Sequence, residues 1–412
     1  MKPAERRRLV SQPSSWRTGE VWAIAASAFF ADLGYQAVLA AFPLFLVIAL
    51  HQPVWEYGLA ASLSYGGGAL FSWYGAKLGD RIGHRRLAIL GNSFIPLLSL
   101  SAMVANPIWA VGFLTGGWWA RNLRSPSRRV LLVTAVQDEE QRARAFGFLH
   151  ALDVGGGALA GVAVLLAVLS HSDYRWLFLA TAVPLIISTL LLTTTPRPNQ
   201  AAEAQPASDP VKPAYPAPPM KTTRSLLIAA TLYGFTFYSA GFPVLTLAQR
   251  GNGIALGIVA FLLIQLTSAL TGYLLPRYLD TRLWRRVRSL GWFGYLAMGL
   301  GSGLIGLGYS LHHNLILLLL GVVITGYSLG AVETLEPTVM SILRSGSQAG
   351  RGFGSLSAAR STGTFIANLA MGLLYGVAVG LAYGYAALLA IAAALVMLAA
   401  VPALRQRQAS GD

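Results

Sequence analysis

Twelve long runs of this chain are almost free of charge, and that alone narrows the folds open to it. They cover residues 21–50, 54–76, 87–105, 107–134, 146–170, 175–195, 224–248, 253–275, 289–310, 314–343, 352–378 and 381–403. Each is near or above the roughly 20 residues an α-helix needs to cross a bilayer. Inside lipid every backbone N–H and C=O must be paired within the segment, so runs of this kind imply helices. The first and tenth are the longest, which predicts tilt or bending. Composition agrees: 55% of the 412 residues are hydrophobic and only 11% charged, where soluble domains carry about 25% charged residues. The first run is far longer than a signal-peptide core of about 7–15 residues, so it reads as a retained span.

A net charge of +15 invites a nucleic-acid reading, but the placement of the charge argues against one. With the N-terminus set inside, 26 of the 31 lysines and arginines fall in inside segments, and only Arg175 and Arg250 lie outside. This is the positive-inside bias of a multi-pass membrane protein. The basic runs also lack interleaved aromatics, so no nucleic-acid partner is expected.

The chain echoes itself. Asp80 and Arg85-Arg86 recur as Asp280 and Arg285-Arg286, Phe42-Pro43 as Phe242-Pro243, and Gly34 as Gly234, all shifted by 200 positions. A further echo, Arg144-Ala145-Phe146-Gly147 against Arg351-Gly352-Phe353-Gly354, is shifted by 207. Duplicated, apolar, helical chains are the usual plan of secondary transporters. Six runs per repeat predict an all-α membrane protein of twelve transmembrane helices in two pseudo-symmetric six-helix bundles. The expected divisions are an N-terminal cytoplasmic tail (1–20), a first bundle (21–195), a linker (196–223), a second bundle (224–403) and a C-terminal tail (404–412). The linker carries Pro196, Pro198, Pro206, Pro210, Pro213, Pro216, Pro218 and Pro219, which leave no room for a regular helix.

The segment Ala76-Lys77-Leu78-Gly79-Asp80-Arg81-Ile82-Gly83-His84-Arg85-Arg86 resembles the signature of the major facilitator superfamily, Gly-x-Leu-Ala-Asp-Arg-x-Gly-Arg-Arg, in the loop after helix 2. Asp80, Arg81, Gly83 and Arg85 match; Ala76 replaces the first Gly, and His84 stands at a basic position. The copy at Asp280 and Arg285 lies where the family keeps its second one. The resemblance implies a conformational latch made of Gly79, Asp80, Arg81, Gly83, Arg85, Asp280 and Arg285, which holds the halves together in one state. From the residues alone, Gly79 and Gly83 suit a tight turn, and Asp80 suits the start of helix 3. Helix 4 reads Arg121-Asn122-Leu123-Arg124-Ser125-Pro126, without the Gln-Gly of drug:proton antiporters. Helix 5 has Gly157 and Gly161 but not the antiporters' following Pro. The pattern is similar to a broad group of prokaryotic facilitators.

Ionisable residues within spans are costly and usually functional. Seven lie well inside: Asp32, Arg121, Arg124, Asp153, Glu333, Glu336 and Arg360. At about 1.5 Å of rise per residue, Asp32 and Arg121 fall near the midplane. Helical spacing puts Arg121, Arg124 and Arg128 on one face, and the 207 shift makes Asp153 the counterpart of Arg360, with the opposite charge. These seven form fixed ion pairs, or some serve transport; an acid without a partner is a proton carrier, and Asp32 and Glu336 are the candidates. In the resembled family helices 1, 4, 7 and 10 surround the central cavity, which implies that Asp32, Gln36, Arg121, Glu333 and Glu336 line it, with Tyr233, Phe237 and Tyr238 on helix 7.

No phosphate-cradling Gly-x-x-x-x-Gly-Lys-Ser/Thr, no His-Glu-x-x-His and no Cys occurs. An enzyme, a cofactor and a metal site are therefore not expected. His51, His171, His312 and His313 fall in outer loops and read as solvated. The function expected is alternating-access transport: proton-coupled export of a small organic or amphiphilic compound. Uptake of an organic anion at Arg121 and Arg124, proton-coupled or facilitative, is the alternative. A non-transporting receptor or scaffold on the same fold is a third. The expected partners are a small-molecule substrate, the proton as coupling ion and the lipid bilayer. The expected setting is a monomer in the cytoplasmic (inner) membrane with both termini inside.

Overall fold

The computed structural model describes residues 16–136, 139–196, 220–249, 253–279, 292–343 and 349–409. Asp280 and Arg285, most of the linker and most of the N-terminal tail lie outside the described residues. Among those described there is no strand. Each apolar run but the seventh corresponds to one helical rod. α1 is Gly19–Leu44, continued by π-helical turns over Phe45–Ala49. α2 is Val54–Ala61, passing through π turns at Ser62–Gly66 into Gly67–Ile82. α3 is His84–Phe94, tightening to a 3₁₀ helix over Ile95–Leu100. α4 is Pro107–Ala135, α5 Glu139–Leu169 and α6 Tyr174–Thr193. α7 comes in two pieces, Met220–Gly234 and Gly241–Ala248. α8 is Ile254–Leu279, α9 Trp292–Ser310, α10 Leu315–Leu343, α11 Ala349–Val377 and α12 Val379–Ala409.

Local chemistry sets several ends. The Thr18 hydroxyl accepts from Val21 N–H at 3.3 Å to start α1, Asn106 accepts from Ile108 N–H at 2.9 Å to start α4, and Asp173 accepts from Arg175 N–H at 2.9 Å to start α6. These are ordinary N-caps. α3 leaves α-geometry just before Pro96, which disfavours it in the preceding residue. The four non-glycine residues with positive φ among those described are all histidines: His51, His171, His312 and His313, at φ 52–59°. They close the turns after α1, α5 and α9. Their shared property is left-handed backbone, a conformation in which His is enriched.

Packing repeats between the halves. α1 lies against α5 and α6, α2 against α4, and α3 against α4 and α6. In the same order α7 lies against α11 and α12, α8 against α10, and α9 against α10 and α12. Between the halves α2 meets α11 and, reciprocally, α5 meets α8, while α1 meets the second piece of α7. This is the packing of two pseudo-symmetric six-helix bundles. Leu70, Trp176, Ile316 and Leu388, each more than 70% exposed, stand on the outside. Among the described residues six helices, α1, α5, α6, α8, α10 and α12, are long and apolar enough by themselves to cross a membrane. The arginine-bearing α4 and α11 fall outside that set.

The halves close on one face, here the far face, which carries His51. Gly58 and Gly372 bring α2 and α11 into backbone contact; a Cβ on Gly372 would stand 2.9 Å from the Gly58 Cα. Ser62 Oγ donates to Phe365 O at 2.7 Å, and the Tyr57 and Ser239 hydroxyls share a 2.7 Å hydrogen bond. The Tyr57 and Phe242 rings meet edge-on at 5.2 Å.

The seventh run was expected as one continuous helix, and the structure corrects this. Phe42-Pro43 sits inside unbroken α1, whereas before the equivalent Phe242-Pro243 α7 opens over residues 235–240. A neighbour makes the difference. The fully buried Asn368 of α11 accepts from Ser239 N–H at 2.7 Å and donates to Phe237 O at 3.5 Å. Freed backbone groups at membrane depth need such partners.

Candidate functional site

A cavity of about 630 Å³ lies between the halves, from the level of Asp32 towards the near face, which carries Gly83. Its wall is part aromatic (Tyr65, Trp118, Phe237, Tyr238, Phe261), part charged (Asp32, Arg121, Arg129, Asp153, Glu333) and part carboxamide (Gln36, Gln265), with His150 nearer the entrance. Of the residues singled out in the sequence, Asp32, Gln36, Arg121, Asp153 and Glu333 meet here. Arg124, Glu336 and Arg360 do not line the cavity.

In the first half α1, α4 and α5 carry the charges. The buried Asp32 accepts a hydrogen bond from the Tyr35 hydroxyl through Oδ1. Its Oδ2 is buried with no partner. Arg121 reaches the same Tyr35 oxygen from Nη2 at 3.4 Å. Its guanidinium lies 4.9 Å from the Trp118 ring and 5.3 Å from the Tyr35 ring, a cation–π arrangement. The Arg121 Nε is buried and unpartnered. Arg128 pairs with Asp153 at 3.3 Å.

Arg124 behaves differently from the shared face expected of it. It is fully buried against α3, where Nη1 donates to Asn92 Oδ1 while Nε and Nη2 have no partner. Asn92 in turn donates to Ser188 and Thr189 of α6 at 3.0 and 2.8 Å. The three arginines therefore diverge: Arg121 to the cavity, Arg124 into the α3–α4–α6 seam and Arg128 to α5. Counting the buried Arg128 and the cavity-lining Arg129, four acids face five arginines in this membrane cluster.

In the second half Glu336 is buried behind the wall. Tyr295 donates to its Oε1 at 2.7 Å and Arg360 to its Oε2 at 3.3 Å. Arg360 also stands 3.7 Å from Glu333, whose side chain is 61% exposed to the cavity. The Arg360 guanidinium lies 4.8 Å from the Phe237 ring. Tyr233 is fully buried and packs on Tyr295 instead of lining the cavity.

Gly83, at φ +91°, is the only residue between α2 and α3. Asp80 is therefore in the last turn of α2, not at the start of α3: the connection is tighter than the motif's polarity suggested. Asp80 Oδ1 lies 3.2 Å from His84 Nε2, and His84 Nδ1 lies 3.2 Å from the Ser127 hydroxyl of α4. A Cβ on Gly79 would come within 2.7 Å of that hydroxyl, so the close approach requires glycine. Arg85 donates to the carbonyls of Thr195 and Thr193 at 2.9 and 2.6 Å and holds the end of α6. Arg81 is exposed.

Sequence reasoning missed Gln265, Tyr65 and Asn92. Two of them gave a signal: Gln265 and Asn92 are the only carboxamides in their apolar runs.

The sequence profile of the Major Facilitator Superfamily matches residues 24–311. The chain belongs to this superfamily. Solved structures agree on the fold of this facilitator. The nucleoside transporter NupG is similar at 13% identity and TM-score 0.68, over 94% of this chain and 99% of that one. The D-xylose-proton symporter is similar at 13% identity and TM-score 0.73, over 92% and 97%. The peptide transporter POT with bound sulfate is similar at 13% identity and TM-score 0.74, over 94% and 95%. No curated protein sequence matches. The protein is thus a multi-pass membrane transporter and not an enzyme.

Proposed function

We propose that this facilitator couples proton movement to export of a small organic or amphiphilic compound by alternating access. One observation carries the reading: Asp32, buried in the cavity wall, has one oxygen held by Tyr35 and the other unpartnered. That free oxygen can take a proton or a cationic group of the substrate, and the choice between them couples the two. The mixed aromatic, charged and carboxamide wall suits a compound with an apolar body and a polar end. The cavity opens towards the face rich in basic residues, the cytoplasmic side by the positive-inside bias. In this reading both termini lie inside the cell, and the protein works as a monomer in the cytoplasmic membrane. Residues 21–195 and 224–403 rock as units joined by the 196–223 linker. That the exposed Asp80 meets His84 of its own half supports reading this as the state in which the latch is released.

The test is transport in proteoliposomes of a compound found by thermal-shift screening of the purified protein. The expected result is acidification or alkalisation that depends on the compound and is lost in Asp32→Asn. Transport indifferent to an imposed pH gradient sinks the proton coupling. A second reading, binding of an organic anion, has its own support: the Arg121 Nε is unpartnered beside the cavity. Arg124, facing away, has no part in it. If Arg121→Ala abolishes transport of a carboxylate and Asp32→Asn is silent, the second reading replaces the first.

A further inference from the structure

The second part of α2 has two opposite faces. Gly68, Gly75 and Gly79 press on α4: a Cβ on Gly75 would collide with the Leu123 backbone, and one on Gly68 would stand 2.6 Å from the Asn122 side chain. The helix cannot rotate without losing this fit. The other face is thereby fixed outward. It carries Leu70, Trp73, Tyr74, Lys77 and Arg81, a stripe at helical spacing. Leu70, Trp73 and Tyr74 are 71%, 61% and 56% exposed. Lys77 Nζ sits 3.6 Å from the centroid of the Trp73 ring. A cavity of about 220 Å³, separate from the central one, is lined by Trp73, Tyr74, Lys77, Leu78 and Arg81. Neither cation has a carboxylate within ion-pair distance among the described residues, and the neighbouring Asp80 is turned to His84.

We propose that this cavity binds the phosphate headgroup of an anionic phospholipid. The polarity runs in the order a lipid would need: Leu70 at acyl depth, Trp73 and Tyr74 at the interface, Lys77 and Arg81 at headgroup level. Aromatic rings partition to that interface, and lysine and arginine near it attract anionic lipid. The cation–π contact holds Lys77 over Trp73, so the ammonium is placed before a lipid arrives. Arg81 offers a fork of donors one turn further on. Leu78 closes the pocket between them. A free inorganic anion would lack the acyl chain that the exposed Leu70 and Trp73 accept.

The test uses the full-length protein purified in an uncharged detergent. Its unfolding midpoint is followed while phosphatidylglycerol, phosphatidylcholine or inorganic phosphate is added. Phosphatidylglycerol should raise the midpoint saturably, and the other two should not. In Lys77→Gln/Arg81→Gln the half-saturating phosphatidylglycerol should rise about thirtyfold, from about fivefold per cation. Arg144→Gln, an exposed cation elsewhere on the near face, should leave it unchanged. Unfolding of the double variant without lipid should match the parent, which separates lost binding from lost folding. An unaltered phosphatidylglycerol response in the double variant overturns the proposal. So does equal stabilisation by phosphatidylcholine or by inorganic phosphate.

Discussion

The two halves use one scaffold with the charges exchanged. In the first, a cation on α4 (Arg128) meets an anion on α5 (Asp153) at 3.3 Å. In the second, an anion on α10 (Glu336) meets a cation on α11 (Arg360), also at 3.3 Å. A tyrosine hydroxyl also holds a carboxylate in each half, Tyr35 to Asp32 and Tyr295 to Glu336. What the repeat keeps is the place of an ion pair between neighbouring helices, not its sign. The halves differ in which partner is wet. The Asp153 side chain is 24% exposed and its Arg128 partner 8%, whereas Glu336 is 2% exposed and its Arg360 partner 21%. The first pair borders the cavity through its acid; the second buries its acid and leaves its arginine partly exposed.

That contrast ranks the effects of breaking each pair. Arg360→Met should be the most damaging, because it strands a buried carboxylate; such losses cost about 3–5 kcal/mol. Denaturant unfolding in one detergent reads it, and adding Glu336→Gln to Arg360→Met should recover part of the loss. No recovery would mean that Arg360 acts through something other than this pair. Tyr295→Phe should cost about 2 kcal/mol, the range for a hydrogen bond to a charged group, because Arg360 still serves the other oxygen. A double-mutant cycle on Arg128 and Asp153 should give the smallest figure, about 1 kcal/mol or less, since solvent at the cavity screens the pair. A coupling energy as large as that of Glu336 with Arg360 would erase the difference between the halves.

Much of the fold was legible in the sequence. Helix existence is written in the apolar runs, since lipid leaves the backbone no other choice, and the spaced echoes of Asp80 and Phe42-Pro43 pointed to a duplication. The site was legible only in part. A membrane charge announces itself, so Asp32, Arg121 and Glu333 were visible as candidates. Which wall each faces depends on neighbours that periodicity does not contain. Arg121 and Arg124, three residues apart, diverge because Asn92 of α3 receives one and the cavity the other. Likewise one dipeptide, Phe-Pro, leaves α1 intact and stands beyond a break in α7. The amide that satisfies the open backbone comes from α11, more than a hundred residues away.

The break in α7 has a mechanical meaning. A continuous rod transmits any tilt along its whole length. A rod interrupted beside the cavity is a jointed arm, and its upper segment, Gly241–Ala248, packs with α1 and α8 on the far side. Its lower segment, Met220–Gly234, packs with α11 and α12. Asn368 is the pin through that joint, bonding one backbone group on either side of Tyr238. Tyr238 and Ser239, in the joint, line the cavity, so the two segments, held by different neighbours, meet at the site.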